Sequence, residues 1–187
     1  VVVSGSSISR TVATEEATRV PRVLLVGDST AASAAHGFMV TGQGSYELIP
    51  AGMPPHPGSY CSMDIWVQAI RDAKTGETRV RPPSPECDWM HLFPPLVQAY
   101  DPSVVVVMWS LWDTQDHEVG GRWLTAGSPA WDAEERAAGQ CAISQLSANG
   151  ARVELVLAPA TIQQPDTYTD YLNAVFESLA AQDPTRV

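Results

Sequence analysis

Apolar positions fall in two rhythms along this chain. Short unbroken runs, Val23–Val26 and Val104–Met108, have the composition of strands buried on both faces. Tyr46–Pro50 and Val153–Ala158 read as two further strands. Between them, small and apolar residues recur at helical spacing over Ala31–Thr41, Trp89–Tyr100, a segment opened by Ser128-Pro129 and closed by Gly150, and Thr169–Gln182. Asp88 is placed to cap the second of these, and Pro94 and Pro95 are expected to bend or interrupt it. Residues 51–86 are rich in Pro and Gly, with a hairpin expected around Lys74-Thr75-Gly76-Glu77. A polar loop is expected over 109–127. Strands alternating with helices predict a parallel sheet covered on both faces, the flavodoxin-like three-layer α/β/α arrangement. Sites in such sheets gather beyond the carboxyl ends of the strands, where Ser29, residues 51–61 and residues 109–118 should meet.

A chain of 187 residues with 44% hydrophobic content suits one domain with a real core. Residues 1–20 read as a linker or N-terminal arm, and 21–187 as the domain. A net charge of −10 argues against nucleic acid as a partner, because its binders need basic patches. No apolar run is long enough to span a bilayer, and the amino terminus lacks the features of a signal peptide. Three cysteines are too few for a disulfide scaffold, and no pair has zinc-site spacing; no metal and no cofactor are expected. Cys61 and Cys87 flank the Pro-rich excursion. A bridge between them would favour an extracytoplasmic home, whereas two free thiols would suit a cytosolic protein.

Val23–Val26 runs straight into Gly27-Asp28-Ser29-Thr30, and a helix is expected to follow. This puts a hydroxyl at the carboxyl end of a buried strand and at the amino end of a helix, whose dipole and free N–H groups stabilise an oxyanion. Ser29 stands where a nucleophile would be exposed. A plain strand-to-helix turn capped by Asp28 or Ser29 accounts for the same residues, and a phosphate cradle is a third reading.

With these positions in hand, the chain resembles the SGNH (GDSL-type) hydrolase superfamily, and within it the extracytoplasmic SGNH domains attached to bacterial membrane acyltransferases. Gly27-Asp28-Ser29 resembles the first block, whose serine is the nucleophile. Gly58, or Gly52 as the fallback, resembles the second block, where a glycine N–H lines the oxyanion hole. Cys61 and Glu86-Cys87-Asp88-Trp89 look like the cysteine pair of the subgroup. Ser110-Leu111-Trp112-Asp113 occupies the third block. The resemblance implies a serine esterase or O-acyltransferase acting on O-acetyl groups of carbohydrate or cell-surface glycan. It also implies a membrane acyltransferase as a possible fused partner, with Trp109, Trp112 and Trp123 as a sugar-stacking wall.

Two departures qualify what the resemblance implies. Trp112 stands where the superfamily places an oxyanion-binding Asn, and only an indole N–H could replace that donor. The last block, Asp-x-x-His, has no counterpart before Val187, so the domain is expected to lack its final strand and last motif, by truncation or as a natural pseudoenzyme. Within the chain, Asp88-Trp89-Met90-His91 has the spacing in the wrong order, and His36 and His56 read as structural or solvent-facing. His117, with Asp113, is a candidate for lining the site. The competing reading is therefore an inactive SGNH-like glycan-binding or interaction module.

Overall fold

The computed structural model describes residues 20–42, 44–49, 62–81, 85–160 and 165–187. Four strands, β1 (Arg22–Gly27), β2 (Glu47–Ile49), β5 (Val104–Met108) and β8 (Arg152–Leu155), form a parallel sheet in the order β2-β1-β5-β8. The central strands β1 and β5 are unbroken apolar runs because both of their faces are covered. Leu24, Val26, Val105 and Val107 point into one core, while Val23, Leu25 and Val106 alternate into the other. The larger core is filled from α2 (Trp89–Tyr100), α3 (Pro129–Leu146) and α4 (Asp166–Gln182), through residues such as Trp89, Phe93, Trp131 and Phe176. The smaller core is closed by α1 (Ser29–Thr41), whose Ala31 and Ala35 allow a close approach to the sheet. This is the three-layer α/β/α arrangement expected from the alternation.

Pro94 and Pro95 stand inside α2 without interrupting it. Asp88 precedes that helix but makes no side-chain cap, because its carboxylate is drawn instead to His91 Nδ1 at 2.7 Å. The last residues lie along the outer edge of β8, with Val153 N–H donating to the Arg186 carbonyl at 2.7 Å.

The expectation of a plain loop over 109–127 is corrected. A second, antiparallel sheet runs β4-β3-β6-β7, built from β3 (Val67–Arg71), β4 (Thr78–Val80), β6 (Asp116–Val119) and β7 (Arg122–Leu124). The β3–β4 hairpin falls where it was expected, with Asp72 Oδ1 accepting from the amides of Lys74 and Thr75. The β6–β7 hairpin turns on Gly120-Gly121, both at positive φ, the conformation that a two-residue hairpin loop requires. Alternation in Asp116–Val119 is hidden because Asp116 and His117, which are neighbours in sequence, are both buried.

Candidate active site

Order reverses in the parallel sheet between β1 and β5, since one chain direction leads from β1 to β2 and the other from β1 to β5 and β8. Ligands of open α/β sheets bind at such a switch point, outside the carboxyl ends of the strands. Here β1 and β5 pair through to Gly27 and Met108, and the two segments that follow are Asp28-Ser29 and Trp109–Asp113. The backbones touch at this point. A Cβ on Gly27 would lie 1.9 Å from the Met108 carbonyl oxygen, and Gly27 has φ +144°. Asp28 N–H donates to that same carbonyl at 3.0 Å.

Asp28 is the N-cap of α1 and is fully buried. One carboxylate oxygen accepts from Thr30 N at 2.7 Å, and the other accepts from Ser110 N at 3.0 Å and Ser110 Oγ at 2.8 Å. Thr30 Oγ1 and Ser110 Oγ are themselves 2.7 Å apart. Ser29 is exposed above this network as the first residue of the helix. Its N–H is one of the first-turn amides that have no intrahelical acceptor. The arrangement thus offers an exposed hydroxyl, a free amide and the positive end of a helix on one residue, which is what acyl transfer asks of a nucleophile and one oxyanion donor. Among the described residues, no histidine hydrogen-bonds to Ser29: His91 is paired with Asp88, His117 is buried elsewhere, and His36 is exposed on α1.

The other expected site residues separate. Gly52, Gly58, Cys61 and His56 lie outside the described residues, as does the arm over residues 1–19. Cys87 is held in a disulfide and Cys141 carries a free thiol. Trp109 is 1% exposed and belongs to the core. Trp123 stacks under the Arg71 guanidinium at 3.9 Å, while the Trp112 ring faces Arg81 at 5.5 Å. The three tryptophans therefore do not form one wall. Asp113 and His117 are both wholly buried, so neither presents itself to a substrate in this structure. Asp113 instead anchors the segment that follows residue 61, with Oδ1 accepting from Ser62 Oγ and, at 2.7 Å, from Met63 N.

Beneath the third block lies a buried cluster of ionisable groups, of which the sequence reading named His117 and Asp113 but not Asp64 and Glu135. His117 Nε2 stands 3.0 Å from the Trp112 carbonyl, and Nδ1 lies 2.9 Å from Glu135 Oε1, with both side chains fully buried. Asp64, also buried, completes the group. Burial pushes the carboxyls of Asp64 and Glu135 above the usual range, and raises Asp113 to about 8. Burial lowers His117, against the pull of Asp113. A signal for Glu135 existed: it stands on the helix face of Trp131, Ala138 and Ala142, where an acid is out of place. Asp64 and Arg81 also line a groove of about 720 Å³ with Ser62, Trp66, Gln68 and Asp88; Ser29 is not among its described walls.

This architecture is the SGNH hydrolase fold. Residues 64–187 match the model of a family described as "Protein of unknown function (DUF459)", and the chain belongs to that family. The solved structure of TesA is similar at TM-score 0.53 and 17% identity, over 87% of this chain and 74% of that one. The psychrotrophic esterase EstA from Pseudoalteromonas sp., in a structure inhibited by monoethylphosphonate, matches at TM-score 0.47 and 14% identity, over 89% of this chain and 75% of that one. No curated protein sequence matches the chain.

Proposed function

We propose that this chain is a serine-dependent acyl-ester hydrolase or O-acyltransferase domain with Ser29 as its nucleophile. The observation that carries the reading is the exposed Ser29 at the switch point, held by a buried Asp28 carboxylate that is hydrogen-bonded to Ser110. Ser29 Oγ attacks the acyl carbonyl, and the Ser29 amide at the start of α1 supports the oxyanion together with the Gly58 amide. The Ser29 proton passes to a general base that the described residues do not supply. Collapse of the tetrahedral intermediate expels the alcohol and leaves an acyl-serine. Water then completes hydrolysis, or a sugar hydroxyl completes transfer.

The substrate in this reading is an O-acetyl group on carbohydrate or cell-surface glycan. The resemblance of Ser110-Leu111-Trp112-Asp113 to the glycan-modifying subgroup supports it. So does a groove that combines the exposed Trp66 ring with Gln68 and Arg81, since aromatic faces and planar donors suit sugars. An extracytoplasmic location follows in the same reading, supported by the disulfide at Cys87. A fused membrane acyltransferase is the partner it implies.

The competing reading, a glycan-binding module without turnover, is favoured by one observation: no described histidine is bonded to Ser29. Turnover of short acetyl esters and of acetylated oligosaccharides by the full-length protein separates the two. The hydrolase reading expects activity that Ser29→Ala abolishes. Binding of the oligosaccharide without turnover by either form supports the module.

A further inference from the structure

Two carboxylates and an imidazole are buried together where one positive charge would satisfy all three. Asp64, His117 and Glu135 come from the segment before β3, from β6 and from α3, and one ligand atom from each lies within 4.8 Å of the others. Glu135 is fully buried, and among the described residues neither of its oxygens accepts a hydrogen bond. Asp64 Oδ2 is likewise buried and unpartnered, while its Oδ1 is fixed by Trp66 N at 2.8 Å. A buried carboxylate oxygen left without a donor costs about 1–3 kcal/mol or more, and three such oxygens in one cluster call for an occupant.

The imidazole carries the second observation. The Trp112 carbonyl at 3.0 Å can only accept, so Nε2 holds the proton of the neutral ring and Nδ1 is left with its lone pair. That lone pair is 2.9 Å from Glu135 Oε1, yet the approach is off the line that a hydrogen bond requires. Two electron-rich atoms at this distance repel unless a cation shares them. A ring nitrogen fixed by a backbone carbonyl, with the other free to coordinate, is how metal-binding histidines are held.

We propose that Asp64, His117 and Glu135 bind one divalent transition-metal ion, Zn²⁺ by donor chemistry, at a structural site beneath the third block. One nitrogen and two carboxylate oxygens suit Zn²⁺, whereas Ca²⁺ and Mg²⁺ prefer oxygen throughout. Its charge balances the two carboxylates. Ligand atoms of a Zn²⁺ ion with bonds of about 2.0–2.2 Å lie about 3–4 Å apart, so a small side-chain adjustment closes this set around the ion. The fourth position falls to water. Entry is from the groove that Asp64 helps to line. The ion would clamp three separate elements and hold Trp112 in place through the His117–carbonyl bond. Widely spaced ligands at 64, 117 and 135 explain why no spacing motif announces the site. The inference is independent of the role of Ser29.

The test is metal content and Co²⁺ substitution in the purified full-length protein. About one equivalent of Zn²⁺ per chain is expected, with a melting temperature that falls by at least about 5 °C on chelation and returns with Zn²⁺. Co²⁺ added to the chelated protein should give the visible bands of a low-symmetry site. Glu135→Gln, which keeps the shape of the side chain, should lose at least tenfold in Zn²⁺ affinity. A folded wild-type protein that binds neither Zn²⁺ nor Co²⁺ overturns the proposal and leaves a proton as the occupant. So does Zn²⁺ binding that Glu135→Gln and His117→Gln leave intact.

Discussion

Asp28 and Ser110, 82 positions apart, are joined by two hydrogen bonds to one carboxylate oxygen, from the Ser110 amide at 3.0 Å and its hydroxyl at 2.8 Å. This pair crosses from the end of β1 to the end of β5 and fixes the turn that carries Ser29. Replacing Asp28 with Ala strands three donors, the amides of Thr30 and Ser110 and the Ser110 hydroxyl. Each lost bond to a charged group is worth about 1.5–3 kcal/mol. Asp28→Ala should therefore cost about 3 kcal/mol or more in chemical denaturation, and Asp28→Asn, which keeps one acceptor, should cost less. An unchanged denaturation midpoint for Asp28→Ala would remove Asp28 from its role.

Gly27 gives a second expectation from geometry alone. A Cβ there would meet the Met108 carbonyl oxygen at 1.9 Å, against backbone that the sheet holds in register. Gly27→Ala should destabilise the protein by more than about 3 kcal/mol and displace Ser29. Gly37→Ala, within α1 and with open space around it, should be neutral or slightly stabilising. Thermal melts of the two variants check the contrast.

The two glycines also show what the sequence could and could not announce. Val23–Val26, Val104–Met108 and the capped segment from Ser128 were legible because burial on both faces and helix caps leave local signatures. The turn at Gly27–Thr30 was legible for the same reason. Of the second sheet only the hairpin around Lys74–Glu77 was read, although Gly120-Gly121 between two short runs is also a hairpin signal. His117, Asp113 and Asp116 disguised β6 as a solvated loop, because polar residues there are buried against one another and against Ala126 and Glu135. No local pattern brings Asp64, His117 and Glu135 together; only the packing of the segment before β3, β6 and α3 does. Asp113 and His117 were thus expected at the surface of the site and are found under it.

Asp113 makes the pH response testable. Burial raises its carboxyl to about 8 from 3.8, so the folded protein holds a proton that the unfolded chain releases across that range. Its contribution to stability is present below about pH 4 and is lost as pH rises towards 8. Asp113→Asn keeps the oxygen that accepts from Ser62 and Met63 and has no proton to lose. With a chelator present, the variant should gain on the wild type in melting temperature as pH rises from about 4 to about 8. A difference constant with pH would mean that Asp113 is ionised throughout.

Trp66 tests the glycan side of the proposed function. It is 42% exposed on the groove wall, and its backbone amide, which a side-chain change keeps, is what binds Asp64. Trp66→Ala should raise KM for an acetylated oligosaccharide about 3- to 10-fold, while kcat and the turnover of a small acetyl ester stay unchanged. Equal losses on both substrates would place the sugar elsewhere.

Activation of Ser29 as a nucleophile is tested by labelling the full-length protein with a fluorophosphonate and locating the adduct by mass spectrometry. One adduct is expected, on Ser29, absent from Ser29→Ala and slowed by an acetylated oligosaccharide. No adduct on a folded protein, or one on another residue, would contradict it and leave the SGNH fold here as a binding module.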